Sequence, residues 1–313
     1  MPEPVALTAL ALDAALGWPR WLHARIGHPV GLFAWLIETG ERRWNRPTRS
    51  EQARRLSGIG LVVLLIGLVG ATGWLLQTWA LRLLAPWGWL LVAILAWPAL
   101  AQRSLYDHVL AVADALGADD EDEARQAVGM IVGRDTTVLD RHGIARAAIE
   151  SLAESFCDGI AAPLFWLLVG GLPGVWAYKA INTADSLIGH REERWRAFGW
   201  AAARIDDLAN LIPARLGGAL ICVVAGTGWR TLWRDHARHA SPNAGWTEAA
   251  MAGALGLRLA GPVSYDGVTH DKAWIGNGRA DADASDVRRA LRVYLRACLL
   301  LWFIAGEMAL WAR

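Results

Sequence analysis

One short segment, residues 178–189, combines the side chains that a site for phosphate and a divalent cation requires; its sequence is Tyr-Lys-Ala-Ile-Asn-Thr-Ala-Asp-Ser-Leu-Ile-Gly. On a helix, positions i, i+3, i+4 and i+7 share one face, and here they carry an ammonium, an amide and two hydroxyls: Lys179, Asn182, Thr183 and Ser186. The adjoining face adds the carboxylate of Asp185. Cationic donors bind phosphate oxygens, and carboxylates bind Mg²⁺. A polar network that joins membrane helices is the alternative.

A second cluster lies in residues 202–215, where two adjacent carboxylates precede an amide. On a helix, Arg204, Asp207 and Asn210 share a face, and Asp206 reaches Asn210 one turn further on. Two carboxylates followed by an amide are suited to hold a metal ion together with bridging phosphate oxygens. Salt bridges at the protein surface are the competing interpretation.

Acidic residues also recur every four positions, at Glu150, Glu154 and Asp158. A helix would place them in one stripe, and oxygen-only acidic clusters suit Mg²⁺, although a solvated helix face explains the same pattern. Further along, Ser-Pro-Asn-Ala-Gly-Trp-Thr-Glu (241–248) has the form of a capped turn that enters a helix. A helix N-terminus is able to bind an anion, while a plain cap is the simpler interpretation of this turn.

The composition indicates that these clusters belong to a membrane protein. The chain has 313 residues, of which 54% are hydrophobic and only 19% are charged, whereas a soluble domain is about 25% charged. Its 19 tryptophans suit the membrane–water interface, where the ring is half apolar and half hydrated. The net charge of +1 offers no basic surface for nucleic acid, so we expect no nucleic-acid partner.

Uncharged runs define the membrane segments that must position the clusters. Residues 56–81 and 83–102 are uncharged on both sides of Arg82, and each is long enough to cross a hydrocarbon core of about 30 Å. They predict an antiparallel helical hairpin. Arginines flank the pair, so the positive-inside rule places both flanks in the cytoplasm and Arg82 outside. A last span is predicted at residues 291–311, whereas the run at 216–229 is too short for an ordinary span.

The uncharged run at residues 159–178 leads directly into the first cluster and is interrupted by Gly-Gly-Leu-Pro-Gly (170–174). A single crossing would put the polar groups at its two ends in opposite compartments. A re-entrant hairpin keeps both on one face, which favours it, and protein or a watery cavity must then cover its irregular backbone. We therefore predict an all-α fold. One polytopic helical membrane domain covers residues 1–313, with cytoplasm-facing amphipathic helices and loops in polar segments at 103–158, 179–215 and 230–290.

The order of five motifs carries a resemblance to a known family. The motifs are Gly-Arg-Asp-Thr (133–136), Glu-Ser-Leu-Ala-Glu (150–154) with Asp-Gly (158–159), and the segments 178–189, 202–215 and 241–255. Together with Gly-Trp-Pro (17–19) and His-Pro (28–29), they resemble the membrane-bound adenosylcobinamide-phosphate synthase (cobinamide synthase) family of cobalamin biosynthesis. The resemblance covers nearly the whole chain. Ser155 and His190 depart from the pattern, in which we expect Asn and Tyr.

The resemblance implies ATP-dependent amide formation between a propionate carboxylate of adenosylcobyric acid and (R)-1-aminopropan-2-ol O-phosphate, or a related amine. A carboxylate is a poor electrophile, so we expect an acyl phosphate intermediate, with ATP as co-substrate and Mg²⁺ as cofactor. The residues expected to act in catalysis are Lys179, Asp185, Arg204 and Asp207. Those expected to bind Mg²⁺ are Asp185, Asp206, Asp207, Glu154 and Asp158. Those expected to bind substrate or ATP are Arg134, Asp135, Thr136, Asn182, Thr183, Ser186, Asn210, Arg215, Ser241 and Asn243.

The resemblance further implies a multi-pass protein of the inner membrane whose active site faces the cytoplasm. Its partners would be the bilayer, the two substrates and other late enzymes of the pathway. Three other functions stay open. A related branch of the superfamily resembles an inner-membrane regulatory protein linked to β-lactamase induction. The pair Asp206-Asp207 also suggests a Mg²⁺-dependent membrane prenyltransferase, and a transporter is the third alternative.

Overall fold

The computed structural model describes residues 4–133, 135–261, 263–265, 268–270 and 273–311. Within these ranges the α-helices, in chain order, are α1 (Val5–Leu16), α2 (Arg20–Ile26), α3 (Pro29–Trp44), α4 (Glu51–Leu83), α5 (Gly88–Ala96), α6 (Gln102–Gly117), α7 (Glu121–Gly129), α8 (Arg141–Phe156), α9 (Ala162–Ile188), α10 (Glu193–Arg196), α11 (Trp200–Ala209), α12 (Leu211–Ala225), α13 (Trp229–Asp235), α14 (Ala244–Leu255) and α15 (Ala284–Trp311). The predicted all-α membrane fold is confirmed.

Two small antiparallel ribbons are added to the helices in the polar segment before α15. One pairs β1 (Leu259–Ala260) with β4 (Trp274–Ile275), and Leu259 lies opposite Ile275. The other pairs β2 (Val263–Tyr265) with β3 (Val268–His270). The sequence analysis did not predict these strands, because two or three residues are too few to show an alternating pattern.

Four helical segments of the described chain are long and apolar enough to cross a membrane: Glu51–Leu83, Gly88–Gly117, Arg141–Ile188 and Ala284–Trp311. The predicted spans at 56–81 and 291–311 lie within the first and the last, and the span at 83–102 overlaps the second. Helices α4 and α5 pack against each other, as the predicted hairpin requires. The short run at 216–229 overlaps α12, and α11 and α12 together pass the same test as a pair bent by 47°, which is either a broken span or a re-entrant loop.

The chain forms two compact units. The first comprises Met1–Ala101, Ala162–Asn210 and Ala305–Arg313, and the second comprises Gln102–Ala161 and Leu211–Ile304. In the first unit, α9 packs against α3, α4 and α11. The buried side chains between these helices include Phe33, Ile37, Leu61, Val62, Leu65, Val69, Ala180, Ala184, Ile188, Phe198, Ala201 and Ala202. This core fixes one side of α9, the helix that carries the first polar cluster.

Helix α9 is broken near its middle. Gly171 has φ 62° and ψ −152°, which is not a helical conformation. A Cβ atom placed on Gly174 would lie 2.5 Å from the carbonyl oxygen of Trp166. In a continuous helix these two residues would be separated by about 12 Å along the axis. The backbone therefore folds back at Gly171, as the re-entrant alternative predicts.

Neighbouring helices of the first unit satisfy the polar groups of this hairpin. At its tip, the backbone N–H of Leu172 donates to Oε1 of Gln77 in α4 at 2.8 Å. A Cβ atom on Gly171 would lie 2.5 Å from the same oxygen, so glycine is required there by space as well as by its positive φ. Below the tip, the indole Nε1 of Trp166 donates to the carbonyl oxygen of Ala209 at 3.1 Å. Protein thus covers the irregular backbone.

A buried ion pair fixes the connection that follows α9. Both oxygens of Glu41, which is only 6% exposed, accept hydrogen bonds from Arg194 at 3.0 Å. The side chain of Asn45 donates to the same carboxylate at 3.0 Å. Burial alone would raise the pKa of Glu41, but the hydrogen bonds from Arg194 and Asn45 lower it overall. The pair ties α3 to α10, and so constrains the chain between the polar cluster of α9 and that of α11.

Candidate active site

A chain of buried hydrogen bonds joins α9 to α11. The hydroxyl of Tyr178 donates to Oδ1 of Asn210 at 3.0 Å, and Nδ2 of Asn210 donates to Oδ2 of Asp206 at 3.0 Å. From the other side, Nδ2 of Asn182 donates to Oδ1 of Asp206 at 3.4 Å. Tyr178, Asn210 and Asp206 are 1%, 2% and 8% exposed. The structure therefore brings together two clusters that are separate in sequence and fixes the Asp206 carboxylate in one orientation.

A second carboxylate lies beside Asp206. The charge of Asp185, on α9, is close enough to interact with that of Asp206. A Cβ atom on Gly189 would overlap Oδ1 of Asp185, and the Gly189 N–H donates to the Asp185 carbonyl at 2.7 Å. The glycine that ends the motif therefore leaves the space that the Asp185 carboxylate occupies. Two neighbouring carboxylates favour a cation between them.

The remaining predicted residues of the first unit lie on the same two helices, α9 and α11. Arg204 and Asp207 form a loose ion pair along α11, with 4.0 Å between Nη1 and Oδ2. The hydroxyl of Thr183 donates to the carbonyl of Lys179 at 2.7 Å, and that of Ser186 donates to the carbonyl of Asn182 at 2.9 Å. These two hydroxyl hydrogens are thus used within α9, while their oxygens keep the capacity to accept hydrogen bonds.

A histidine that the sequence analysis did not select lies near Lys179. Burial, followed by the positive charge of Lys179, lowers the pKa of His28 to about 4. Its Nδ1 accepts the backbone N–H of Val30 at 3.2 Å and so caps α3, and its ring packs edge-on against Trp18 at 4.9 Å. His28 is therefore neutral at pH 7. The His-Pro dipeptide was its only signal in the sequence, and the proximity of Lys179 could not be read from it.

In the second unit, residues 241–248 form the predicted turn into a helix, although Ser241 supplies the side-chain acceptor and the N-cap residue, Asn243, makes no capping hydrogen bond. Oγ of Ser241 accepts the backbone N–H groups of Asn243 and Ala244 at 3.2 and 3.3 Å, at the start of α14. Nη1 of Arg215 donates to Oδ1 of Asn243 at 3.3 Å, and its guanidinium lies 4.8 Å from the centre of the Trp246 ring. The buried Nε1 of Trp246 has no hydrogen-bond partner within the described part of the chain. Trp246 is a second residue that the sequence analysis did not select.

The acidic stripe is split by a change in helix type. Glu150 and Glu154 lie one turn apart in α8, but Asp158 lies in a π-helical turn, Cys157–Ala161, which shifts it out of the four-residue register. Such turns occur frequently at functional sites. Oε1 of Glu150 accepts the backbone N–H of Ala260 at 2.9 Å and so holds β1. Glu154 is exposed and Asp158 is half-buried.

The Gly-Arg-Asp-Thr motif lies in a turn of the second unit. Oδ1 of Asp135 accepts the hydroxyl and the backbone N–H of Thr137 at 2.6 and 2.9 Å, and these hydrogen bonds lower the pKa of Asp135. Thr136 is half-buried. Arg134 lies outside the described residues.

Among the residues that the structure describes, no three His, Cys, Asp or Glu side chains come together in a group that could hold a metal ion. A closed all-protein cage is therefore not formed by this part of the chain. Mg²⁺ does not require one, because it usually binds through one or two carboxylates together with water and substrate phosphates. The paired carboxylates of Asp185 and Asp206 fit that requirement.

The fold and this cluster define a polytopic helical membrane protein with a polar site on its apolar helices. The chain belongs to the CobD/Cbib protein family, whose sequence profile matches residues 6–294. It is 50% identical over 313 residues to the cobalamin biosynthesis protein CobD of Rhodobacter capsulatus, covering 98% of this chain and 97% of the relative. The protein of the same name from Sinorhizobium sp is 47% identical over 94% of each chain.

A third relative of the same name, from Rhizobium meliloti, is 44% identical over 98% of this chain and 96% of its own length. No solved structure matches the chain. Identity at this level over nearly the whole length supports a role of this chain in cobalamin biosynthesis.

Proposed function

We propose that this chain catalyses ATP-dependent amide formation between adenosylcobyric acid and (R)-1-aminopropan-2-ol O-phosphate, or a related amino alcohol. The product would be adenosylcobinamide phosphate. One observation carries the proposal: Asn182 and Asn210 hold Asp206 beside Asp185, and Asp185 lies on α9, the helix that carries Lys179. This arrangement offers carboxylates for Mg²⁺ and a cation for phosphate. The names of the relatives favour a biosynthetic enzyme over the regulatory alternative.

The reaction needs activation of a carboxylate. In the proposed first step, an oxygen of the substrate carboxylate attacks the terminal phosphorus of ATP, which gives an acyl phosphate and ADP. In the second step the amine attacks the acyl carbon, loses a proton and displaces inorganic phosphate. Both steps concentrate negative charge on phosphate oxygens, so a preorganised cationic site lowers their barriers.

Different residues of the chain would bind the metal ion, contact the phosphates and orient the substrates. Asp185 and Asp206 would bind Mg²⁺, which neutralises triphosphate charge, with Asp207, Glu154 and Asp158 as further candidates. Lys179, Arg204, Arg215 and Arg134 would contact phosphates. Asn182, Asn210, Ser241 and Asn243 would orient the substrates, and Asp135, Thr136, Thr183 and Ser186 would add polar contacts. The unpartnered Nε1 of Trp246 offers one more donor beside Arg215.

Mass spectrometry tests the proposal directly. Detergent-solubilised protein is incubated with Mg-ATP, adenosylcobyric acid and aminopropanol phosphate, and adenosylcobinamide phosphate is quantified with and without ATP. We expect an ATP-dependent product for the wild type and none for Lys179→Ala or Asp185→Ala. Asp107→Asn, which changes an exposed carboxylate on α6, is the matched control and keeps activity.

Turnover near the wild-type rate in both variants would exclude these residues from the chemistry. No product from folded wild-type protein with several amines would favour the regulatory alternative. Diphosphate release from a prenyl diphosphate would favour the prenyltransferase, and flux in proteoliposomes without ATP consumption would favour a transporter.

A further inference from the structure

An apolar cavity of about 520 Å³ lies within the first unit. Helices α2, α3, α4, α5 and α9 all contribute to its wall, with side chains that include Leu22, Phe33, Leu68, Thr72 and Trp176. The size is typical of a ligand site rather than of a packing defect. Apolar groups would fill such a space between membrane helices, because the lining side chains otherwise lose their dispersion contacts.

The position of the cavity on membrane helices indicates what fills it. Helix α4 and the segment that begins with α5 are both long and apolar enough to cross a bilayer. Leu68 and Leu76 line the cavity and are nevertheless 51% and 40% exposed, so it is open along this side of α4. Hydrocarbon chains surround such a helix face in a membrane. The lining offers almost no polar atoms, which excludes the amide-rich corrinoid as the occupant.

A basic side chain lies on the helix that forms one wall of the cavity. Helix α2 contributes Leu22 and Ile26 to the lining, and Arg25 lies on the same side of this helix, three residues after Leu22. Arg25 is exposed and its guanidinium lies 5.9 Å from the centre of the Trp21 ring. Trp21 is also exposed, at 62%. An arginine beside an exposed tryptophan is the combination that proteins place at lipid headgroups.

We propose that this cavity binds one anionic phospholipid, whose acyl chain fills the apolar space while its phosphate contacts Arg25. The occupant would pack under the hairpin of α9. Leu172 and Trp176 of the lining share a helical face with Lys179, at positions i, i+4 and i+7. The lipid would therefore support the helix that carries the proposed catalytic residues. The need for a bound lipid would also account for the membrane location of a reaction between water-soluble substrates.

Native mass spectrometry of the full chain tests this binding without reference to activity. Delipidated protein in a non-phospholipid detergent is titrated with phosphatidylglycerol or with phosphatidylcholine. We expect one phosphatidylglycerol per chain for the wild type. Thr72→Trp fills the cavity and should abolish this binding, whereas Val63→Trp, on the same helix but outside the lining, should leave it unchanged. Leu68→Trp is the second filling variant if Thr72→Trp does not fold.

A second matched pair of variants tests the positive charge of Arg25. Arg25→Gln should weaken phosphatidylglycerol binding about fivefold, the value expected for one cation beside an anionic headgroup. Arg20→Gln, on the opposite side of α2, should not weaken it. If the wild type and both filling variants retain the same amount of lipid, the lipid is bound to the outer surface of the protein and not in the cavity. That result would overturn the proposed site. If the wild type binds phosphatidylcholine as tightly as phosphatidylglycerol, the proposed preference for an anionic headgroup is wrong. Amide synthesis enters none of these measurements, so their failure is distinct from failure of the proposed function.

Discussion

At the residue scale, the position of the Asp185 carboxylate depends on the absence of a side chain at Gly189. We predict that Gly189→Ala displaces this carboxylate and lowers product formation about a hundredfold, because misplacement of a catalytic group by about 1 Å has an effect of this size. Product formation by mass spectrometry measures the loss, and thermal unfolding shows that the variant is folded. Gly60→Ala is the control, since a Cβ atom there meets nothing within 4 Å. Wild-type activity in Gly189→Ala would contradict the role of Asp185.

A buried carboxylate of the second unit gives a prediction on stability and pH. Asp235 is 0% exposed and accepts hydrogen bonds from Arg234 at 2.8 and 2.5 Å and from the Gly276 N–H at 2.8 Å. The hydrogen bonds from Arg234 hold its pKa below the usual value. Asp235→Asn removes the negative charge from these hydrogen bonds while Arg234, which is 35% exposed, stays hydrated, so the free energy of unfolding at pH 7 should fall by roughly 1.5–3 kcal/mol.

The pH dependence of this loss has a defined sign. The folded chain releases the Asp235 proton more readily than the unfolded chain, so the stabilisation is complete above about pH 4, the usual pKa of an aspartate. It disappears as the pH falls through the lowered pKa. Thermal unfolding in detergent should therefore show a gap between wild type and variant that narrows on acidification below pH 4. Asp281→Asn, at an exposed ion pair, should behave as wild type; a gap independent of pH would contradict this account.

At the scale of elements, the re-entrant hairpin of α9 depends on one side chain of α4. Gln77→Leu removes the acceptor of the Leu172 N–H at the hairpin tip. An unsatisfied buried donor costs about 1–3 kcal/mol, and we predict a loss of stability of this size in thermal unfolding of the detergent-solubilised chain. Thr78→Val, one residue further along α4, is the control. If the stability of Gln77→Leu equals that of the wild type, a water molecule accepts the Leu172 N–H in place of Gln77.

The elements show what sequence alone was able to predict. Helix α4 follows from its uncharged length, and the turn into α14 follows from Ser241, because both signals are local. The break in α9 was one of two alternatives suggested by its glycines and proline. The partnership of Gln77 with Leu172 was not predictable, since 95 residues separate them and a glutamine within an apolar run carries no sign of its partner.

The same limit applies to the candidate site. Helical spacing placed Asn182 with Asp185, and Asp206 with Asn210, but it could not bring α9 and α11 together. The hydrogen bond between Tyr178 and Asn210 and the proximity of His28 to Lys179 arise from tertiary packing. Residue roles in phosphate and metal binding stay predictions, because neither spacing nor packing identifies a ligand.

At the scale of the whole molecule, the orientation in the membrane is open to a direct test. The positive-inside rule predicts that the loop after α4 lies outside and that the turn before α7 lies in the cytoplasm. Leu84→Cys and Asp119→Cys place thiols at exposed positions in these two connections. The native cysteines, Cys157, Cys222 and Cys298, are buried and give little background.

A membrane-impermeant maleimide should label Leu84→Cys in intact cells and Asp119→Cys only after the membrane is opened. Mass-tagged gel shifts measure both reactions. The reverse pattern would place the second unit's turn outside and would contradict the predicted orientation, while labelling of both positions in intact cells would contradict the hairpin of α4 and α5.

The order of these segments along the chain bears on how the protein is made. Gln77 leaves the ribosome nearly a hundred residues before Leu172, so the acceptor for the hairpin tip is already in the membrane when the tip arrives. The carbonyl of Ala209 and the amide of Asn210 are synthesised only afterwards. We therefore expect a nascent chain that stops at residue 190 to form the hydrogen bond at the hairpin tip and to lack those at its base. Biogenesis of the site would then be completed from the C-terminal side, when α11 closes against α9.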